Sequence, residues 1–422
     1  MINKIFNKNI SFEELYILFF PIAVILRSAF LNIYILVGAI LLFLKIIKGK
    51  YEIKNKILFY GIVFFIFYLI IASINAENIF TSLKSSISQL RFIFFAFFIS
   101  SLNLQKIDFK KIILIFSIIV NFVSADTLYQ YYYGHDFFGI ENDENNPHRL
   151  SGPFGKELIV GAFIAIMSIP IIAYLTSNIN QISNFQKNYL FFSTILSFFT
   201  VLMSGERISL LILICSSFII FLKNLNIKKI IIIFSLLVLV IFGAYKNIKS
   251  VNYKINEFAG LIMLMNESPH IKLFSSAIIV GSKNIIIGTG LKNYRVNCDA
   301  LIKENYFDKF TNDIILCSSH PHNIYLEIFA ECGIIGLILF LFLVIVNFQF
   351  FWKKRKEIND NIKFIFFSSL IILAAYLWPI RSSGSFFSTF SASFFWYFYG
   401  LLLLCINNNK QFKSNQSEQR SN

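Results

Sequence analysis

A histidine-containing segment near the C-terminal third of the chain holds the residue types best suited to proton transfer. Residues 320–336 read HPHNIYLEIFAECGIIG, so His320 and His322 stand two residues apart, directly before an apolar run. An imidazole has an ordinary pKa of about 6.5 and can take a proton from a hydroxyl group at neutral pH. A lone histidine at a helix start is more often an interfacial polar residue, so the other motifs must decide between these interpretations.

Three further segments bring arginine next to apolar runs: RLSGPFG at 149–155, SGERIS at 204–209 and IGTGLKNYR at 287–295. Arginine keeps its charge at every working pH and can bind phosphate oxygens through two hydrogen bonds. Arg149, Arg207 and Arg295 could therefore bind a phosphate group and stabilise negative charge on it. The alternative is that each is a solvated or snorkelling surface charge. Glu206 either orients Arg207 or is solvated.

The composition of the whole chain indicates what kind of structure positions these residues. Of 422 residues, 56% are hydrophobic and 14% are charged, whereas soluble domains carry about 25% charged residues. The apolar runs are about 17–25 residues long, which matches a bilayer core of about 30 Å. This predicts an all-α integral membrane protein in contact with inner-membrane lipids. The net charge of +15 comes largely from lysines at the ends of the runs. Membrane topology explains them, so no nucleic-acid partner is predicted.

The apolar runs predict twelve membrane spans. They are 11–27, 29–47, 57–74, 86–103, 111–133, 157–176, 188–203, 208–223, 228–245, 323–351, 363–380 and 386–405. Lysine and arginine concentrate in the short connections on the side of the N-terminus. The positive-inside rule then places both termini in the cytoplasm.

Four regions follow from this assignment. They are 1–245 with spans one to nine and a polar periplasmic loop at 134–156, 246–320 as a large periplasmic loop, 321–406 with spans ten to twelve, and 407–422 as a tail. Loops as long as 246–320 are usually functional. Helical patterns at 254–265 and 268–282 predict that this loop is a small helical subdomain. The polar composition of 407–422 predicts a disordered cytoplasmic tail.

The cysteines suggest one cross-link. Cys298 and Cys317 share the large loop, and in the periplasm such a pair can oxidise to a disulfide. The alternative is two free thiols, because a sequence does not show their separation. A metal site built from His320, His322 and Cys317 is disfavoured, because no further ligand completes a tetrahedral set. No metal and no cofactor are predicted.

The four segments occur together in the order of a known family. His322 and Asn323 are followed by nine residues and then by Gly333 and Gly336. This pattern resembles the signature of the O-antigen ligase/polymerase superfamily, of the lipid A-core:surface polymer ligase type. The three arginine-containing segments resemble the family's Arg-x-x-Gly-x-Phe turn, its small-Gly-x-Arg-Ser/Gly turn and its Gly-x-Gly stretch. The chain departs from the family at Lys156–Glu157, where many members have Asn-Pro-Asn.

The resemblance implies a fold and a reaction. The fold would be a twelve-helix bundle of the membrane glycosyltransferase C type with a helical periplasmic cap. The reaction would pass a glycan from undecaprenyl diphosphate to a hydroxyl of a lipid A-core acceptor. It would take place on the periplasmic face of the bacterial inner membrane, without a metal.

The resemblance also implies roles for individual residues. His322 would be the general base, or a donor to the diphosphate if it is protonated, and Arg207 would be the second catalytic residue. The implied substrate-binding residues are Arg149, Arg295, Glu206, His320, Asn323 and His270, the last of which stands where many members carry arginine.

Other activities share these motifs. An O-antigen or exopolysaccharide polymerase uses the same donor but transfers to another lipid-linked repeat. A protein O-oligosaccharyltransferase transfers to Ser or Thr of a pilin. A lipid-linked glycan transporter would need ionisable groups at mid-membrane. Such groups are scarce here, and Asp126, the main exception, is more often a hydrogen-bonded buried carboxyl than a catalyst.

Overall fold

The computed structural model describes residues 10–141, 148–263, 269–306 and 316–407. Regular structure in these ranges is helical, apart from one isolated bridge between His135 and Glu141. The predicted tail beyond Asn407 lies outside the described residues. The helices are α1 (Phe12–Ile25), α2 (Arg27–Ile47), α3 (Lys56–Ala72), α4 (Ile79–Ser88), α5 (Leu90–Ser100), α6 (Phe109–Tyr133), α7 (Val160–Ser177), α8 (Asn184–Ser204), α9 (Arg207–Asn224), α10 (Ile227–Asn247), α11 (Lys249–Met263), α12 (Pro269–Lys283), α13 (Tyr294–Lys303), α14 (Ile324–Lys354), α15 (Lys363–Tyr376) and α16 (Thr389–Asn407).

Nine helical segments in these ranges are long and apolar enough to cross a membrane. They are α2, α3 with the short turn after it, α4 and α5 together, α6, α7, α9, α10, α14 and α16. Each of them overlaps a predicted span. The chain is therefore an all-α integral membrane protein, and the predicted fold class is confirmed at this level.

Three predicted spans fall on helices that are shorter or more polar. Helices α1 and α15 have 14 residues each, about 21 Å of helix against a bilayer core of about 30 Å. Helix α8 has 21 residues, but its first turns are polar. A count of twelve spans therefore stays a prediction, although every predicted run coincides with a helix.

The first two apolar runs form a helical hairpin. The backbone of Arg27 takes the left-handed conformation, with φ at 71°, and this separates α1 from α2. Tyr34 donates its hydroxyl to the carbonyl of Tyr16 at 2.8 Å, and Tyr16 donates to the carbonyl of Tyr34 at 3.3 Å. This reciprocal pair holds the two helices side by side within the bundle.

Helices α7 and α16 lie at the centre of the bundle and α10 lies at its edge. In the apolar window of each helix, 89% of α7 and 78% of α16 is buried, against 11% of α10. Helix α10 is apolar but exposed around most of its surface, as expected for a helix that faces lipid.

The two ends of the bundle differ. At one end, Lys45 donates to the carbonyl of Ser101 at 3.1 Å and Lys54 to that of Asn407 at 2.9 Å. The opposite end carries α11, α12 and α13 and the connection between α15 and α16. This end is called the loop face below, and the candidate site lies there.

Helices α12 and α13 form a small subdomain against the start of α14. Its buried core includes Val280, Tyr294 and Leu301. Cys298 and Cys317, the pair singled out in the sequence, are joined by a disulfide in the structure, with their Cα atoms 5.8 Å apart. The predicted helical patterns at 254–265 and 268–282 fall on α11 and α12. The four predicted regions of the chain stay a prediction.

Helix α14 is interrupted at Gly333, where φ is 66°. The segment Ile285–Gly290 packs into this break. The N–H of Ile334 donates to the carbonyl of Ile285 at 2.7 Å, and the N–H of Gly290 donates to that of Glu331 at 2.8 Å. The Gly-x-Gly and Gly-x-x-Gly motifs therefore meet, and in this structure their glycines serve close backbone packing.

Candidate functional site

Three histidines from two separate parts of the chain lie together at the loop face. The ring centroid of His322 is 4.2 Å from that of His320 and 5.9 Å from that of His270. His322 lies two residues before α14, and His270 is the second residue of α12. The structure therefore brings His270, which the sequence analysis places in the large loop, next to the histidine motif.

The backbone around His322 is held in an unusual conformation. Its φ is 58°, a left-handed value that costs a non-glycine residue about 1–3 kcal/mol and tends to occur at functional sites. The N–H of Ser383 donates to the carbonyl of His322 at 2.8 Å. Burial lowers the pKa of the His322 ring, and a hydrogen bond between this ring and the Ser383 backbone opposes that shift, so the ring lies against Ser383.

Asn323 caps helix α14. Its side-chain oxygen accepts from the N–H groups of Tyr325 and Leu326 at 3.0 and 3.1 Å, and its amide donates to the carbonyl of Pro379 at 2.7 Å. Such a cap is worth about 0.5–2 kcal/mol. These contacts give Asn323 a structural role, and its predicted contact with substrate stays a prediction.

All three histidines favour the neutral form. Burial lowers the pKa of His322, and the charges of His270 and Arg149 lower it further. Burial, followed by the charge of His322, lowers the pKa of His320 to about 4. Desolvation and the charge of Arg207 lower the pKa of His270. At neutral pH the cluster can therefore accept a proton.

A group of cations lies beside the histidines. Arg207 is the first residue of α9 and forms an ion pair with Glu257 of α11. Arg149 influences the pKa of both His322 and Lys254, and within the described residues its buried Nε atom has no hydrogen-bond partner. Because a buried donor without a partner is costly, this guanidinium is suited to an added anion.

Lys254 completes this group of cations. Burial lowers its pKa to about 8, and the charges of Arg149 and Arg207 also lower it. Its ammonium approaches the glycine of the SGER turn, donating to the Gly205 carbonyl at 3.4 Å. A Cβ atom at Gly205 would collide with this ammonium. A bound anion would relieve the repulsion among the three cations.

Glu206 of the SGER turn contacts the start of α7 and Ser209 of α9. Its carboxylate accepts from the N–H groups of Gly161 and Ala162 at 2.8 and 3.1 Å, at the start of α7. It also accepts the hydroxyl of Ser209 at 2.8 Å. Whether Glu206 also orients Arg207 or contacts substrate stays a prediction. A carboxylate on a helix N-terminus is favourable and locks the turn to the central helix.

Two predicted residues lie apart from this group. Arg295 pairs with Asp299 at 3.7 Å on α13, and no described contact joins it to the histidines. Asp126 accepts from the N–H of Phe137 at 2.7 Å, as expected for a hydrogen-bonded carboxyl. The described residues contain no group of three His, Cys, Asp or Glu side chains arranged to hold a metal ion.

Sequence reasoning missed three cations at the loop face. Lys254 lies in α11 outside any motif, and Lys292 donates to Ser385 at 3.2 Å. Arg381 follows α15 and donates to the carbonyl of Ala375 at 3.2 Å. Lys292 lies within the IGTGLKNYR segment, but no sequence signal separates Lys254 and Arg381 from ordinary charges near a membrane, because only the fold brings them to the site.

The fold and the site together define a class: a polytopic helical membrane protein with histidines and cations gathered at one end. The family model described as O-Antigen ligase matches residues 192–341. This region runs from within α8 into α14 and includes Glu206, Arg207 and the three histidines. This match supports the predicted O-antigen ligase superfamily over the matched residues. A search of curated proteins finds no match.

The family match supports an activity of the glycosyltransferase-like ligase or polymerase type. It also supports lipid-linked glycan and lipid acceptor substrates in general and a bacterial inner-membrane location. The particular donor, acceptor and catalytic residues belong to the proposal that follows.

Proposed function

We propose that this protein transfers a glycan from undecaprenyl diphosphate to a hydroxyl group of a lipid A-core acceptor. The observation that carries this proposal is the contact of the His322 ring with His270 and His320, beside Arg149 and Arg207. A neutral imidazole and fixed cations are the two components that transfer from a diphosphate requires.

The loop face is proposed to be the periplasmic face. Lys45 and Lys54 lie at the opposite end of the bundle, where the positive-inside rule places the cytoplasm. Both termini would then be cytoplasmic. A lipid diphosphate has its charged group at the membrane surface, which is the level of Arg207 at the start of α9.

The proposed reaction is a direct displacement. The acceptor oxygen attacks the anomeric carbon, and the bond from that carbon to the phosphate oxygen breaks. Undecaprenyl diphosphate leaves with the electron pair, while His322 takes the proton of the acceptor hydroxyl. Arg149, Arg207 and Lys254 would stabilise the negative charge on the leaving group without a metal.

The electrostatics favour a base role for His322 over phosphate binding. A histidine that donates to a diphosphate must be protonated, but burial and neighbouring positive charges lower the pKa of His322. The nearby arginines already supply permanent charge. His320 and His270 would position the His322 ring, and His320 is the more deeply desolvated of these two.

A polymerase would use the same donor and the same residues. The acceptor distinguishes the two reactions, because a polymerase extends another lipid-linked repeat whereas a ligase uses the lipid A-core. The glycan products therefore provide the test.

The test is the lipopolysaccharide and carrier-lipid profile of a strain that lacks this protein. The strain is complemented with wild type, His322→Ala or His135→Ala. His135 is a matched control, since it bonds its neighbour Asp136 at 3.0 Å and contacts Tyr129 rather than the site. Loss of a general base should reduce transfer by about 10²–10⁴-fold.

We expect long glycan to accumulate on the carrier lipid in the deleted strain and with His322→Ala. His135→Ala should restore glycan on lipid A. A single repeat that remains attached to the core would identify a polymerase instead. An unchanged profile in the deleted strain would refute both activities, and full rescue by His322→Ala would refute the base role.

A further inference from the structure

The turn after α12 exposes three consecutive isoleucines. The side chains of Ile285, Ile286 and Ile287 are 53%, 58% and 38% exposed. A contiguous apolar surface of this kind is rarely left in water. The turn belongs to the loop subdomain, which the sequence analysis places outside the membrane. That placement would leave the three isoleucines in water.

Backbone hydrogen bonds fix the depth of this turn relative to α14. The N–H groups of Ile334 and Ile335 donate to the carbonyls of Ile285 and Ile286 at 2.7 and 3.4 Å. The turn therefore lies at the level where α14 resumes after Gly333. Its position does not depend on side-chain packing alone.

The lengths of two helices give the depth of this turn in the bilayer. Helix α14 ends in Lys353 and Lys354, and nineteen residues separate Lys353 from Ile334, about 28 Å of helix. On the other side, Asn75 donates to the carbonyl of Gly288 at 2.7 Å. Asn75 ends the span that begins at Lys56, again about 28 Å away. A bilayer core is about 30 Å thick, so both measures place the turn just inside its boundary.

The exposed isoleucines continue an apolar surface of α14. Ile335 and Ile338 are 41% and 58% exposed on the part of α14 that spans the membrane. Irregular backbone at membrane depth is tolerated only when its polar groups bond within the protein. Here the N–H of Thr289 donates to the carbonyl of Ala330 at 3.1 Å. The carbonyls of Ile285 and Ile286 and the N–H of Gly290 also form hydrogen bonds with the backbone of α14.

We propose that Ile285–Ile287 insert into the hydrocarbon of the membrane leaflet at the loop face, with lipid acyl chains as their partner. The loop subdomain is then re-entrant rather than wholly extramembrane. Helix α12 runs from His270 at the histidine cluster to this inserted tip, so the bilayer fixes the height of the cluster. The proposal concerns membrane placement and does not depend on the reaction.

The test measures the depth of a nitroxide spin label on the full-length protein in lipid vesicles. The label is attached to Ile286→Cys after the exposed free cysteine is removed by Cys215→Ser. Cys332 and Cys405 are buried and free, so they should react little, and a sample without the new cysteine measures that background. Accessibility to oxygen, which concentrates in hydrocarbon, is compared with accessibility to a water-soluble nickel chelate.

Two positions provide matched controls. Ile338→Cys reports the lipid-facing surface of α14, and Val296→Cys reports α13, where the side chain is 45% exposed beside the ion pair of Arg295. We expect oxygen to relax the label more than nickel at Ile286 and Ile338, with the reverse order at Val296.

The outcomes separate the possible environments of the tip. A label at Ile286 that matches Val296 would refute insertion. Protection from both reagents would mean that protein covers the tip and would refute it equally. Ile285→Cys repeats the measurement if labelling at Ile286 disturbs the fold, and it should give the same order.

Discussion

The interruption of α14 predicts a large difference between two glycine substitutions. Gly333 has φ at 66°, and a Cβ atom there would contact the carbonyl of Ile286 and lie 2.6 Å from the N atom of Ile287. Gly243 lies inside α10, and a Cβ atom there would have no neighbour within 4 Å. Gly333→Ala should therefore destabilise the protein, whereas Gly243→Ala should be harmless.

The magnitude follows from three contributions. The backbone of Gly333, with φ at 66° and ψ at −173°, lies in a region that is accessible essentially to glycine alone and costs alanine about 1–3 kcal/mol. Displacing the Ile285–Ile287 turn should break at least one backbone hydrogen bond, which contributes about 0.5–1.5 kcal/mol to stability. Alanine at Gly243 gains about 0.5–1 kcal/mol in a helix. The two variants should therefore differ by roughly 2–5.5 kcal/mol.

The assay is thermal unfolding of the purified variants in one detergent at one heating rate. Unfolding of a large membrane protein is commonly irreversible, so the midpoints serve as a ranking. At roughly 2 °C per kcal/mol, the midpoints should differ by about 4–11 °C. Equal midpoints for Gly333→Ala and Gly243→Ala would show that neither the backbone conformation of Gly333 nor the close contact with Ile286 matters.

Two further predictions concern the site. Transfer needs neutral His322, so its rate should fall on acidification below the pKa of this residue, at a lower pH than for an ordinary histidine, because that pKa is lowered. Arg149→Gln removes a charge that lowers this pKa, so at saturating donor the acid limb of the pH–rate profile should move to higher pH. An acid limb at the same pH in Arg149→Gln and wild type would contradict the assignment of His322 as the base. Glu206→Gln loses charge-assisted bonds to the start of α7 and should lower the thermal midpoint by the equivalent of about 1–3 kcal/mol. Wild-type stability in that variant would contradict the anchoring role.

The membrane fold was predictable in outline because long apolar runs are a local signal. The boundaries were less predictable where polar residues begin a helix. The predicted span 86–103 starts inside α4, because the serines of this helix suggest a loop. In the structure, Ser82 and Ser86 are buried and lie 2.9 Å from Ser73 through their hydroxyl oxygens. These hydrogen bonds satisfy the buried hydroxyl groups of α4, so this polar helix can pack against the bundle.

The site was predictable only in part. The spacing of His322, Gly333 and Gly336 identified the family, but it could not show that Gly333 interrupts a helix to admit another segment. The sequence also could not place Glu206 on the start of α7, since Gly161 lies more than forty residues away. Lys254 was missed for the same reason, because its neighbours belong to other helices.

By itself, the sequence determined that this is a helical membrane protein, and its motifs indicated the O-antigen ligase superfamily that the family model supports over residues 192–341. Hydrophobic length and motif spacing are properties of contiguous residues and need no fold to be read. Only the tertiary structure decided which charged residues form a site. His270 joins His322, Arg207 pairs with Glu257 and Arg295 stays apart, because these relationships depend on distances between helices that sequence separation does not determine.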